Sequence, residues 1–185
     1  PQWDIDSNYV YDMLVAHEVG HALHTPARRW FEEDDFKNIP KDYINVVEDA
    51  RIERLMKQRF LGLNRDFYKA YEELHSNNFF EVSDEDVNDL KLIDRINLYF
   101  KIGAYLCIDF NDEENQLITE ISQAETFDQV LEISKKLYKL SQEQKQEIDE
   151  LNLQSVKIDP DGIDVEIQST PNNPQNQQDT DEEDD

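Results

Sequence analysis

Residues 8–24 read Asn-Tyr-Val-Tyr-Asp-Met-Leu-Val-Ala-His-Glu-Val-Gly-His-Ala-Leu-His, and this stretch decides the fold class. Val10, Met13, Leu14, His17, His21 and His24 recur every three or four residues, which is helical and not strand periodicity. Ser7 or Asp6 can cap the N-terminus, and Pro26 stands just beyond the end, so the spacing predicts a helix over about Asn8–His24. The same period continues outward. Helices are expected at about Asp42–Phe60 (closed by Gly62), Arg65–His75, Asp86–Asp109, Glu113–Gln123, Phe127–Leu140 and Gln142–Leu151, in a chain with only 4 Gly among 185 residues. The prediction is a mainly α domain. Only Val156–Gln168 alternates, with Asp161-Gly162 as a turn signal, and reads as a small C-terminal β-hairpin.

Composition sets the outer limits. The chain carries 43 acidic residues against 18 Lys and Arg, a formal net charge of −25. Phosphate contacts need a basic surface, so nucleic acid and anionic membrane are excluded as partners. No run approaches the ~18 apolar residues of a membrane span. The single Cys107 cannot form an internal disulfide, and a cytoplasmic setting is the default expectation. Cys107 falls in an apolar stretch without a basic neighbour and reads as a buried, inert thiol. Residues 169–185 hold six of the acids and no basic residue, so this stretch is expected to be a disordered acidic tail or linker after a domain spanning 1–168. With Pro rather than Met at position 1, the expectation is a piece of a longer protein.

The chemistry is concentrated in His17-Glu18-Val19-Gly20-His21. Residues i and i+4 share one helix face, so both imidazoles can reach one metal ion. Glu18 lies beside them, placed to take a proton from a water on that metal. A catalytic zinc site takes three protein ligands and keeps a fourth position open. Asn45-Val46-Val47-Glu48-Asp49-Ala50-Arg51-Ile52-Glu53 offers the third. Glu48 lies four residues from both Ile44 and Ile52, a carboxylate in an apolar stripe, where a cation or strong hydrogen bonds are needed. Asp49 lines up with Asn45 and Glu53 in a polar row suited to solvent or to orienting the ligands. Glu48 is therefore the favoured ligand. The competing reading is an ion pair of Glu48 or Asp49 with Arg51 or Arg54.

H-E-V-G-H-A-L-H-T followed by N-V-V-E-D-A-R-I-E resembles the glutamate-zinc metallopeptidases, the zincins in which a second helix supplies a Glu ligand. More narrowly it resembles the metallopeptidase-like domains of bacteria and phages that precede a von Willebrand A-type domain, also called cobaltochelatase-like. The resemblance covers about His17 to Arg54. It implies a zinc-dependent hydrolase acting on a protein or peptide substrate, with His17, His21 and Glu48 as metal ligands and Glu18 as general base. Asp49 and Arg51 would orient the ligands. It also implies an alternative, a non-catalytic zinc-stabilised module that partners an AAA-type ATPase and a von Willebrand A-type domain. Two features depart from the pattern. Only 16 residues precede His17, too few for the sheet that normally comes before the motif helix. No residue is marked as the oxyanion stabiliser, the candidates being His24, Tyr43, Tyr71 and His75.

Overall fold

The structure is a computed structural model, and it describes residues 8–26, 38–82, 87–103 and 105–155. It is mainly helical, and the described residues contain no strand. The elements are α1 (Asn8–His24), α2 (Lys41–Arg59), α3 (Leu63–Ser76), a short 3-10 turn (Val87–Asp89), α4 (Leu92–Ile102), α5 (Asp112–Gln123) and α6 (Phe127–Ser155). The expected hairpin at Val156–Gln168 and the acidic tail at 169–185 lie outside the described residues. One compact unit runs to Ile148 and a second comprises Asp149–Asp185. Both hydrophobic cores belong to the first.

Three expected boundaries shift for local reasons. The predicted helix Asp86–Asp109 is replaced by the 3-10 turn and the shorter α4, which stops before Gly103. Polar tethers hold the following stretch out of the helix. The Asn88 amide donates to the Cys107 carbonyl at 3.2 Å and accepts from Asp109 N at 2.8 Å, and Arg95 donates to the Asp109 carbonyl at 2.6 Å. Cys107 is consequently exposed on a loop, not buried in an apolar helix. The two segments predicted around residue 141 form one helix, α6, since no Gly or Pro interrupts 127–155. Gly62, expected to close α2, instead opens α3 with ordinary helical torsions, and Phe60 is the C-terminal cap of α2.

The α2 helix is the spine. Its N-terminal half contributes Ile44 and Val47 to a core built with Leu92 and Ile96 of α4, Leu117, Ile118 and Ile121 of α5, and Val130 and Leu137 of α6. Its C-terminal half contributes Met56 to a second core with Val10 and Met13 of α1, Phe67 and Ala70 of α3, and Leu98 and Ile102 of α4. Each fully buried aliphatic side chain of this kind contributes about 1.5–3 kcal/mol.

The crossing of α1 over α2 is close because residue 20 is glycine. A Cβ there would come 2.9 Å from Ile52 Cδ1 and 3.0 Å from Met56 Cγ. The buried face of α1 is therefore Val10, Met13, Ala16 and Gly20, with His17 and His21 at its edge. Leu14, expected on that stripe, is instead 47% exposed, as are Tyr11, Val15 and Leu23 to similar or greater degree. The face is rotated by the helix approach that Gly20 permits, and the rotation turns both histidines toward α2.

Candidate metal centre

His17, His21 and Asp49 form a cluster whose candidate ligand atoms lie within 4.8 Å of one another. The helical spacing puts the two rings side by side, with centroids 4.8 Å apart and planes at 76°. Asp49 rises from α2 beneath them. Its Oδ1 is 3.2 Å from His21 Nε2 and 3.7 Å from His17 Nε2. The Nε2 atoms thus face a common carboxylate oxygen.

The Nδ1 atoms are held from behind. His17 Nδ1 lies 3.2 Å from Glu53 Oε1, which also accepts the Tyr71 hydroxyl at 2.8 Å. His21 Nδ1 lies 2.9 Å from Thr25 Oγ1. The Thr25 hydroxyl spends its single proton on Glu48 Oε1 at 2.5 Å, so it accepts from His21 Nδ1–H. His21 Nε2 donates to Asp49 Oδ1 when it carries the ring's proton; with the proton of each ring on Nδ1 instead, both Nε2 atoms become acceptors. Three acceptors (two imidazole nitrogens and one carboxylate oxygen) then converge on one point. Such a set needs a cation or added protons between its members. The donor set suits zinc, which accepts imidazole nitrogen and carboxylate oxygen.

Glu48 is not brought to the histidines. It is fully buried, and its carboxylate is gripped by Arg51, with Nε donating to Oε2 at 2.7 Å and Nη2 to Oε1 at 2.7 Å. The structure brings Asp49, and not the expected third ligand Glu48, to the two histidines. The apolar stripe reading located a buried carboxylate, but the cation that satisfies it is a guanidinium. Arg51 also donates to the carbonyls of His24 and Glu125 at 2.9 and 3.0 Å, tying the end of α1 to α2 and to the turn before α6. Arg51 thus reaches the histidines only through Glu48, Thr25 and the α1 terminus.

Electrostatics follow from this geometry. Burial pushes Asp49 up, but the His21 hydrogen bond and the charges of Lys101 and His17 outweigh it and hold its carboxyl below the ordinary value. Lys101 of α4 sits 3.2 Å from Asp49 Oδ2, on the oxygen turned away from the histidines. For His17, burial opposes protonation, yet the Glu53 hydrogen bond and the nearby Asp49 and Glu53 charges raise its pKa above 6.5. Tyr71 is held well above its ordinary value by burial and by Glu53, so its hydroxyl stays a donor.

Glu18 is exposed on α1, next to His17. Of the oxyanion candidates, only Tyr71 reaches the site's partners, and it does so through Glu53. Tyr43 packs edge-on against Tyr138, and His75 stacks on Tyr105. The His24 carbonyl is taken by Arg51, and burial with the Arg51 and Arg59 charges lowers the pKa of its ring. Sequence reasoning placed Glu53 in the polar row with Asp49 but did not single out Thr25 or Lys101. The i, i+4 step from Asp49 to Glu53 was a usable signal, being the same step that separates the histidines, whereas nothing in α4 marked Lys101.

Comparison of the chain with protein-family models, with curated proteins and with solved structures finds no match.

Proposed function

We propose that the protein is a zinc-dependent metallopeptidase in which His17, His21 and Asp49 hold the metal and Glu18 is the general base. The observation that carries the reading is the convergence of two Nδ1-anchored histidines and one carboxylate. That is three protein ligands, the number that catalytic zinc sites use when one position is left for substrate or water. Bound zinc supplies Lewis acidity, bringing the pKa of a water toward ~7 and polarising a peptide carbonyl. Glu18 takes the proton of the attacking water and returns it to the leaving amine. Glu53 and Thr25 fix the two ring orientations, and Lys101 keeps Asp49 ionised.

Glu18→Gln tests the assignment, because the amide keeps the shape and loses the base. Zinc content by elemental analysis should stay near one per chain. Hydrolysis of an unfolded protein substrate should fall by at least about 100-fold, the lower end of what a positioned base contributes. A variant that cleaves as well as its parent would remove Glu18 from the mechanism. A parent that holds zinc and cleaves no peptide bond would remove the peptidase reading altogether.

A further inference from the structure

A cleft of about 470 Å³ opens on the other side of α2 from α1, lined among others by Glu53, Arg54, Lys57, Leu61 and Phe100. Two of its lining residues are cations, in a chain with more than twice as many acids as bases. Elsewhere Arg51, Arg95, Lys101 and Lys136 each sit within 3.2 Å of a carboxylate. Arg54 hydrogen-bonds only neutral oxygens, and the one ion pair of Lys57 is long. Arg54 makes one hydrogen bond from Nη1 to Gln58 and one from Nη2 to the Ala124 carbonyl, and its Nε makes none. Three of the five guanidinium donors are therefore unspent. Lys57 lies 3.8 Å from Glu53 Oε2, beyond hydrogen-bond reach, and its ammonium rests 5.1 Å over the Phe67 ring. Glu53 itself is engaged by Tyr71 and His17. The nearest acid is thus committed to the neighbouring cluster, and the cleft keeps two cations with donors to spare beside the apolar surfaces of Leu61, Phe100 and Ala50.

We propose that this cleft binds an organic carboxylate: one carboxylate group on Arg54 and Lys57, with a small apolar body against Leu61 and Phe100. A guanidinium fork matches a carboxylate, and charge-assisted bonds of this kind are about twice as strong as neutral ones. A singly charged head also suffers less from the surrounding negative field than a dianionic phosphate would. The C-terminal residue of a peptide and a free carboxylic acid share this chemistry. The inference stands without the metal centre.

The test uses N-acetyl-L-leucine, its neutral amide, and acetyl-Ala-Ala-Leu with a free C-terminus, titrated into the full chain by calorimetry. The acid should bind saturably and the amide at least about tenfold more weakly, as expected when a charge-assisted pair is lost. Arg54→Gln and Lys57→Gln should each weaken the acid by about tenfold. The Lys57 ammonium makes no hydrogen bond, so Lys57→Gln keeps the test open if Arg54→Gln disturbs the Ala124 contact. Tighter binding of the tripeptide identifies a peptide terminus as the source, and equal or weaker binding identifies a free acid. Equal affinity for acid and amide, no binding of either, or undiminished binding by a folded Lys57→Gln variant overturns the proposal.

Discussion

Two carboxylate clusters of this protein look alike in composition and differ in what surrounds the acid. Glu114, at the start of α5, accepts from Arg95 at 2.6 and 3.3 Å, from the Gln144 amide at 2.8 Å and from the Asn111 backbone at 3.0 Å. Its oxygens are met by donors that the fold itself supplies. Asp49 instead turns Oδ1 toward two histidine nitrogens that are acceptors when each ring carries its proton on Nδ1. A carboxylate enclosed by donors closes a structure, whereas one that faces other bases leaves a place for a cation. The same contrast separates Asp49 from its own neighbour, Glu48, which is enclosed by Arg51 and Thr25.

Adjacent substitutions on α2 give the sharpest way to break that contrast. Asp49→Asn should cost more zinc affinity than the ~10–100-fold typical of losing an outer partner, with helical content kept. Glu48→Gln should do the reverse. Breaking a buried pair by altering one member costs about 3–5 kcal/mol, so the variant should lose a large part of its stability in denaturant titration. Any loss of zinc affinity, transmitted through Thr25 to His21, should stay within the outer-partner range. If Glu48→Gln abolishes zinc binding in folded protein while Asp49→Asn retains it, Glu48 and not Asp49 is the third ligand, as the apolar stripe suggested.

His17 and Glu114 should also answer pH with opposite signs. In metal-free protein the His17 pKa is raised, so its contribution to stability is fully present below 6.5 and is lost as pH rises through its folded value. For Glu114, burial opposes ionisation, but Arg95, Gln144 and the Asn111 backbone outweigh it and lower the pKa. Its contribution is present above 4.5 and is lost as pH falls through the folded value. Unfolding midpoints against pH should therefore decline at both ends. Glu114→Gln should flatten only the acidic limb, and His17→Gln only the limb above 6.5. A single variant that flattened both would show that the clusters are one coupled unit.

The residues explain how far the sequence could be read. Apolar residues three or four apart located α1, α2, α3, α5 and α6, although α1 exposes Leu14 and Leu23 and α2 buries Glu48 and Arg51, and the H-E-x-x-H spacing alone brought His17 and His21 together. The third partner was harder. Glu48 and Asp49 are neighbours, so which of them faces α1 depends on the rotation of α2 about its axis. That rotation is set by the close approach at Gly20 and by the polar contacts that Glu48 and Arg51 make with Thr25 and the His24 carbonyl, which period alone cannot choose. Lys101 and the loop carrying Cys107 were illegible for a related reason: both are placed by long-range polar contacts, to Asp49 and to Asn88.

The smallest expected effect tests whether Glu114's partners act singly. Asn111 caps α5 reciprocally: its side chain accepts from Glu114 N at 2.9 Å while Glu114 Oε2 accepts from Asn111 N at 3.0 Å. Asn111→Ala removes only the first of these bonds, since the backbone donor to Glu114 remains. The loss should be about 1 kcal/mol, the usual cost of replacing an Asn cap by Ala, with zinc affinity unchanged because the cap touches nothing in the metal centre. A loss of about 3 kcal/mol or more would mean that Arg95, Gln144 and Asn111 hold Glu114 as one network, in which removing one donor loosens the rest.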